Sequence, residues 1–465
     1  MFAKGSVEST HANVWIKQAL LACLACVDDV WTFFDDKQKA LHRAKSSRLV
    51  KAHGGGAMSR LSRVEATQIM AWLMQRHCID LGRIALCDAR IAGTGLKSTS
   101  AAAHGDVLLK LPRAVWYPFS AAVARETLPS SVIASIEAQA TSVGGSGSQL
   151  ADAVLLASTI AQQAATSPEH APYLSQLPPP DVPLLWPAPL RTALLQGSSA
   201  EGASQQQTAL SDAFYETLSS AITNAPERGA FKWAQSLLLS RAHSGAGKPL
   251  ALVPGMDLLN HGGAAASADV AFDEASSSFL LVARRGLVED EEITIDYGTD
   301  ASHRLLRLYG FVVGSEAAAA ADVDAPRVGE EVLLSLVPPS AELGAIPEVE
   351  RQAWQEHRAA LAACGLRGSM LRLTVDPGGG VTIPQLTQGG AASETALLVL
   401  AAAIDGQLQR QADGMSAAAA VQAAEAAPAQ FRQRARLALT MHSRERAVLM
   451  AAEREIQRRL RAIGD

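Results

Sequence analysis

Residues 64 to 76 carry Ile69, Leu73 and Met74 at helical spacing, which predicts an amphipathic helix. The period then shortens. In RIALCDARIAGTGLKSTSAAAHGDVLLKLP, residues 83 to 112, two strand-like runs flank a GTG turn. After an HGD turn, Val107, Leu109 and Leu111 alternate as the inward face of a strand. Residues 119–228 read as mostly helical, broken by SVGGSGS, QGSSAEGAS and the proline-rich LPPPDVPLLWPAP. FKWAQSLLLS, 231 to 240, is an apolar helix ending at Arg241, and LALVPGMDLLNH is a buried strand running into polar residues. SSFLLVARRGLVEDEEITIDYG has the pattern of a hairpin with an acidic turn, and ASHRLLRLYGFVV that of a short helix.

Beyond residue 315 the pattern changes again. Residues 315–326 are rich in alanine and acid and read as a linker. Residues 327–465 read as helical, with a two-stranded interruption at LRLTVDPGGGVTIP. The last helix carries Leu449, Ile456, Leu460 and Ile463 at steps of seven, four and three.

Composition narrows the functional class. A chain of 465 residues with 48% hydrophobic content can bury the cores of two or three domains. A net charge of −5 argues against a nucleic-acid-coating protein. Five scattered cysteines (Cys23, Cys26, Cys78, Cys87, Cys364) make no disulfide framework or four-ligand zinc site, and fit a reducing compartment. The apolar run from Ala19 to Val27 is far short of the ~20 residues that span a bilayer. Residues 1–58 are set apart as a leader, targeting or disordered, with a basic stretch at 37–51. Its acids (Glu8, Asp28, Asp29, Asp35, Asp36) are many for a transit peptide.

Two short stretches concentrate the candidate chemistry. DLLNHGG, 257 to 263, places Asp257, Asn260 and His261 within five positions. It can be read as a metal site, as a helix cap through Asn260, or as the wall of a polar cleft shared with Arg241. In ITIDYG, period-two alternation sends Ile293, Ile295 and Tyr297 to one face. A phenol buried there needs a partner, either a plain backbone carbonyl or a place at the bottom of a pocket.

The order of the pieces says more than any one of them. GTGL, GDVLLKLP, a helical insert, FKWAQSLLLSR, VPGMDLLNH, EEITIDYG and LLRLYGFV together resemble the SET-domain methyltransferases. The branch they resemble is that of the RuBisCO large-subunit lysine methyltransferase and the actin-histidine methyltransferase. APYLSQLP and PLLWPAPLRTALLQG are similar to that branch's inserted helices.

The resemblance implies an α+β chain. A β-rich SET fold over 59–314, with its helical insert at about 119–228, would precede an all-α C-terminal substrate-binding-like domain. It implies S-adenosyl-L-methionine as cofactor, no metal, and Tyr297 as the catalytic residue orienting the attacking nitrogen. Asn260 and His261 would hold the cofactor, Arg241 would meet its carboxylate with Asp257 alongside, and Phe311 would pack on the adenine. Ala92 and Thr94 of the GTGL turn would supply backbone contacts. Ala92 stands where the branch commonly has an acid, and His303 where it has Asn; His303 is expected outside the pocket.

With no cysteine segments flanking the domain, the implied partner is a lysine-bearing non-histone protein. RuBisCO large subunit or another plastid protein is a candidate, with chloroplast favoured over cytoplasm or nucleus. The chain is expected to be a monomer with neither nucleic acid nor membrane as partner. A histidine acceptor, or a catalytically weak SET fold used for docking, are the alternatives.

Overall fold

A computed structural model describes residues 63–464, apart from 90–92, 144–146, 178–179, 246, 299–300, 314, 316–325, 337–347, 365, 367–369 and 384–393. The leader 1–58, Ala92, Cys23, Cys26 and nearly all of the expected linker lie outside the described residues. Two compact units are present. One takes in the described parts of Met1–Leu185, Gln205–Thr299 and Leu308–Gly314, the other those of Trp186–Ser204, Asp300–Arg307 and Ser315–Asp465.

The first unit opens with helix Arg63–His77, which buries Ala66, Ile69, Met70 and Leu73. Met74, expected on that face, is 54% exposed; the apolar stripe runs through Met70 instead. Four strands form the sheet that matters for function: β1 (Ile84–Ala89), β2 (Gly93–Ser98), β9 (Glu292–Ile295) and β6 (Asn260–His261), in that order. A second sheet has the order β3 (Val107–Leu111), β8 (Ser278–Ala283), β7 (Ala268–Asp273), and β4 (His243–Gly245) pairs with β5 (Lys248–Ala251). The insert supplies helices Ser130–Val143 and Gly147–Thr166, the latter burying a continuous run from Val154 to Ala161.

Three local expectations are corrected. GTG is no turn: Gly93 begins β2, which pairs along its whole length with β1. SSFLLVARRGLVEDEEITIDYG is no hairpin, because β8 pairs with β3 and β7 while β9 joins the other sheet. Alternation shows that a run is a strand, but not which edge it will find. Val107 is exposed because the β3–β8 register shifts between Val107 and Leu109, a bulge that reverses the alternation.

The second unit holds helices Ala188–Leu195, Glu348–Ala363, Glu394–Ala423 and Ala429–Gly464. Its core gathers Val332, Leu334, Leu371, Leu373, Leu397, Leu400, Ile404, Val448, Leu449 and Ile456. The expected two-stranded interruption gains a third strand, so this unit is not all-α: β10 (Glu331–Ser335) pairs with β11 (Met370–Val375), and β11 with β12 (Val381–Thr382). Buried within the unit, the Glu445 carboxylate accepts from the Ser199 backbone N–H at 3.0 Å and from Gln411 Nε2 at 3.0 Å. Burial pushes its pKa up to about 8.

Candidate active site

The three motifs singled out in the sequence become neighbouring strands. β9 lies between β2 and β6, antiparallel to the first and parallel to the second. Leu96 stands opposite Ile293, Asn260 opposite Thr294, and His261 opposite Ile295. The parallel pair continues as Gly262 N–H donates to Ile295 O at 2.9 Å and Ser267 N–H to Thr294 O at 3.0 Å. Gly262 makes this approach possible, because a Cβ there would lie 2.4 Å from Thr294 Oγ1.

Side chains leave this sheet on two faces. One carries Thr94, Leu96, Ile293, Ile295 and His261, and continues into Tyr297. The Tyr297 ring lies 5.0 Å from that of His261 and stacks on Tyr309 at 4.5 Å, with Phe311 at 6.3 Å. His261 Nδ1 accepts the Tyr297 backbone N–H at 3.2 Å, so the proton of a neutral ring sits on Nε2. Tyr309 donates to the Tyr297 carbonyl at 3.0 Å and fixes the strand end. The Tyr297 hydroxyl donates to the Leu259 carbonyl at 2.7 Å, one residue before Asn260.

The other face carries Asn260, Glu292 and Thr294. Asn260 Nδ2 donates to Glu292 Oε1 at 2.8 Å. The pair lies across Gly95, where a Cβ would sit 2.5 Å from Asn260 Nδ2 and 3.0 Å from Glu292 Oε1. The second glycine of GTG is thus the floor under two polar side chains.

Helical spacing delivers Arg241. Helix Arg228–Arg241 buries Phe231, Ala234, Leu238 and Arg241, separated by three, four and three residues, so its final cation lies on the apolar face. The guanidinium donates to the Asp257 main-chain carbonyl at 2.8 Å. The Asp257 carboxylate accepts from Gly255 N–H at 2.8 Å and from the Tyr173 hydroxyl at 2.6 Å. Tyr173 in turn stacks on Trp72 at 5.6 Å. Burial raises the Asp257 pKa, and Arg241 opposes that shift.

Burial likewise pushes the Tyr297 phenol upward; the Arg241 guanidinium pulls against it while the Glu292 and Asp257 carboxylates add to it. These three charges therefore act on one hydroxyl. Thr94, Arg241, Asp257, Asn260, His261, Tyr297 and Phe311 are each between 2% and 6% exposed, all within the first unit. His303, expected outside the pocket, packs in the second unit with Nε2 3.7 Å from Glu331 Oε1. Glu292, Tyr173 and Tyr309 went unnoticed in the sequence. Only the YGF triplet pointed at Tyr309; the partners of Tyr173 and Glu292 lie 84 and 32 residues away along the chain.

The fold matches solved structures over 85% of the chain. A structure of Rubisco LSMT bound to AdoMet superposes with a TM-score of 0.56 at 14% identity, covering 85% of this chain and 92% of that one. The chain has a SET-domain fold. A structure of Rubisco LSMT bound to sinefungin and monomethyllysine gives a TM-score of 0.57 at 15% identity over 85% and 92% of the two chains. The SET domain of LSMT bound to lysine and AdoHcy gives 0.55 at 14% over 85% and 91%. No family model and no curated protein matches the chain. Although distant in sequence, β6 and β9 pair in parallel and so bring the Asn-His and Tyr-Gly segments together.

Proposed function

We propose that this chain is an S-adenosylmethionine-dependent protein N-methyltransferase whose acceptor is a lysine of a non-histone protein. The observation that carries the reading is the buried Tyr297 hydroxyl, hydrogen-bonded to the Leu259 carbonyl beside the Asn260–His261 strand. The residues fit the cofactor. Arg241 offers a buried cation to a carboxylate, Asn260 an amide to an ammonium, and Phe311 a ring to an adenine. The glycine floor at Gly95 keeps the strand open beneath the amide.

When bound, S-adenosylmethionine supplies an electrophilic methyl on a sulfonium. Everything else falls to the protein. Nucleophile, methyl and leaving group must lie in line, and the strands on both sides of β9 set the fixed points for that line. A lysine amine with a pKa of about 10.4 carries a proton at pH 7 and has no lone pair until it is lost. Entry into an apolar surrounding favours the neutral amine, since desolvation penalises the cation. Tyr297 then orients the amine. Its phenol stays protonated because burial raises its pKa, so it holds the nitrogen by hydrogen bonding and takes no proton.

The solved structures of the LSMT SET domain bound to lysine and to methyllysine support a lysine acceptor. RuBisCO large subunit is the first candidate to test, and a plastid location and a monomeric state belong to the same reading. Purified protein incubated with radiolabelled cofactor and a plastid or whole-cell extract should label one band, and mass spectrometry should find a methylated lysine. A methylated histidine would replace the lysine reading. No label, together with no heat of binding at millimolar cofactor, would leave a docking module.

A further inference from the structure

We propose that Glu292 is a positioning residue for the cofactor's amino-acid end, acting through Asn260; this rests on the S-adenosylmethionine reading above. An Asn amide has a donor side and an acceptor side, and its partners decide which way each points. Asn260 faces a carboxylate 2.8 Å away, and a carboxylate only accepts. The nitrogen must therefore point at Glu292, which commits Oδ1 to the opposite direction as an acceptor. Among the described residues that oxygen accepts no hydrogen bond, although Asn260 is 4% exposed. An acceptor held in place on a residue only 4% exposed suits a donor ligand, and a primary ammonium is the matching group.

Two further observations point the same way. Gly95 is the only residue type that leaves room for the pair, since a Cβ would overlap the Asn260 nitrogen and crowd the Glu292 oxygen. Glu292 brings a carboxylate to the adjoining strand, in register with Lys97 and one residue from the Leu96–Ile293 pair. Its charge also contributes to the field at the Tyr297 phenol.

The test compares two ligands by calorimetry on the full chain. S-adenosylhomocysteine carries the ammonium and carboxylate; 5′-methylthioadenosine lacks both. Glu292→Ala should weaken S-adenosylhomocysteine about tenfold and leave 5′-methylthioadenosine unchanged. Glu292→Gln keeps an amide oxygen that can accept from Asn260, so it should stay within about twofold of the parent for both. An unchanged S-adenosylhomocysteine affinity in Glu292→Ala overturns the proposal. An equal loss of both ligands also overturns it, because it would mean that the β6–β9 pairing had been damaged and no ammonium contact oriented. If the parent itself binds neither ligand, the cofactor reading fails, a result distinct from either of these.

Discussion

Replacing Tyr297 with Phe removes one oxygen and leaves the ring. The ring's contacts with His261 at 5.0 Å and Tyr309 at 4.5 Å survive, and so does the backbone bond from Tyr297 N–H to His261 Nδ1. What goes is the donor to Leu259 O, a carbonyl on a residue 1% exposed. Leaving such an acceptor unmet costs about 1–3 kcal/mol of stability, and the intact packing puts the cost at the lower end. Catalysis should suffer more. A positioned polar group is worth about 100-fold or more in turnover, roughly 2.7 kcal/mol of barrier. The assay is single-turnover transfer of labelled methyl to the acceptor found in extract, with S-adenosylhomocysteine affinity measured beside it. Affinity should hardly move while the rate falls. The two pH–rate profiles should keep one shape, because burial holds the Tyr297 pKa above its ordinary value of 10.0 and the phenol does not titrate in the working range. Transfer by the variant at the parent rate would refute the assignment. A profile limb present only in the parent would show Tyr297 to be a base.

Other changes probe the surroundings. Arg241→Met should weaken S-adenosylhomocysteine at least tenfold and lower stability by about 1–3 kcal/mol, since it leaves the buried Asp257 main-chain carbonyl without its donor; calorimetry and urea unfolding would read both. Gly95→Ala should destabilise by about 1–3 kcal/mol through overpacking against Asn260 and should cut cofactor affinity, whereas a parent-like protein would mean the Asn260–Glu292 pair is free to move. Glu445 has its folded pKa raised to about 8, so its contribution to stability is fully present below the unfolded carboxylate pKa and is lost as pH rises through about 8. The thermal midpoint of Glu445→Gln relative to the parent should therefore rise between pH 4 and pH 9, and a constant difference would contradict a buried, titrating carboxylate.

Much of the site was legible before any coordinates. Alternation along ITIDYG put Tyr297 on the buried face with Ile293 and Ile295, and all three are buried. FKWAQSLLLS reads as an apolar helix ending at Arg241, and Arg241 is 3% exposed. Polar residues clustered as Asp257, Asn260 and His261 marked the same region. These readings hold because backbone geometry fixes side-chain direction locally, at periods of two and 3.6.

Strand partners were not legible. The run now called β8 could have paired with β9, its neighbour in sequence, yet it joins β3 and β7. Nothing in GTGL told a turn from a strand, because β2 takes its identity from the two strands beside it. Likewise Val107 was misplaced by a bulge that only pairing reveals. By itself, then, the order of residues determined which side chains face inward and which polar ones sit together. Tertiary structure decided which inward faces meet, that Glu292 would lie against Asn260 over a glycine, and that Tyr173 would reach Asp257. The physical reason is range: periodicity acts within a segment, whereas register and partner choice depend on surfaces that exist only after distant segments have packed.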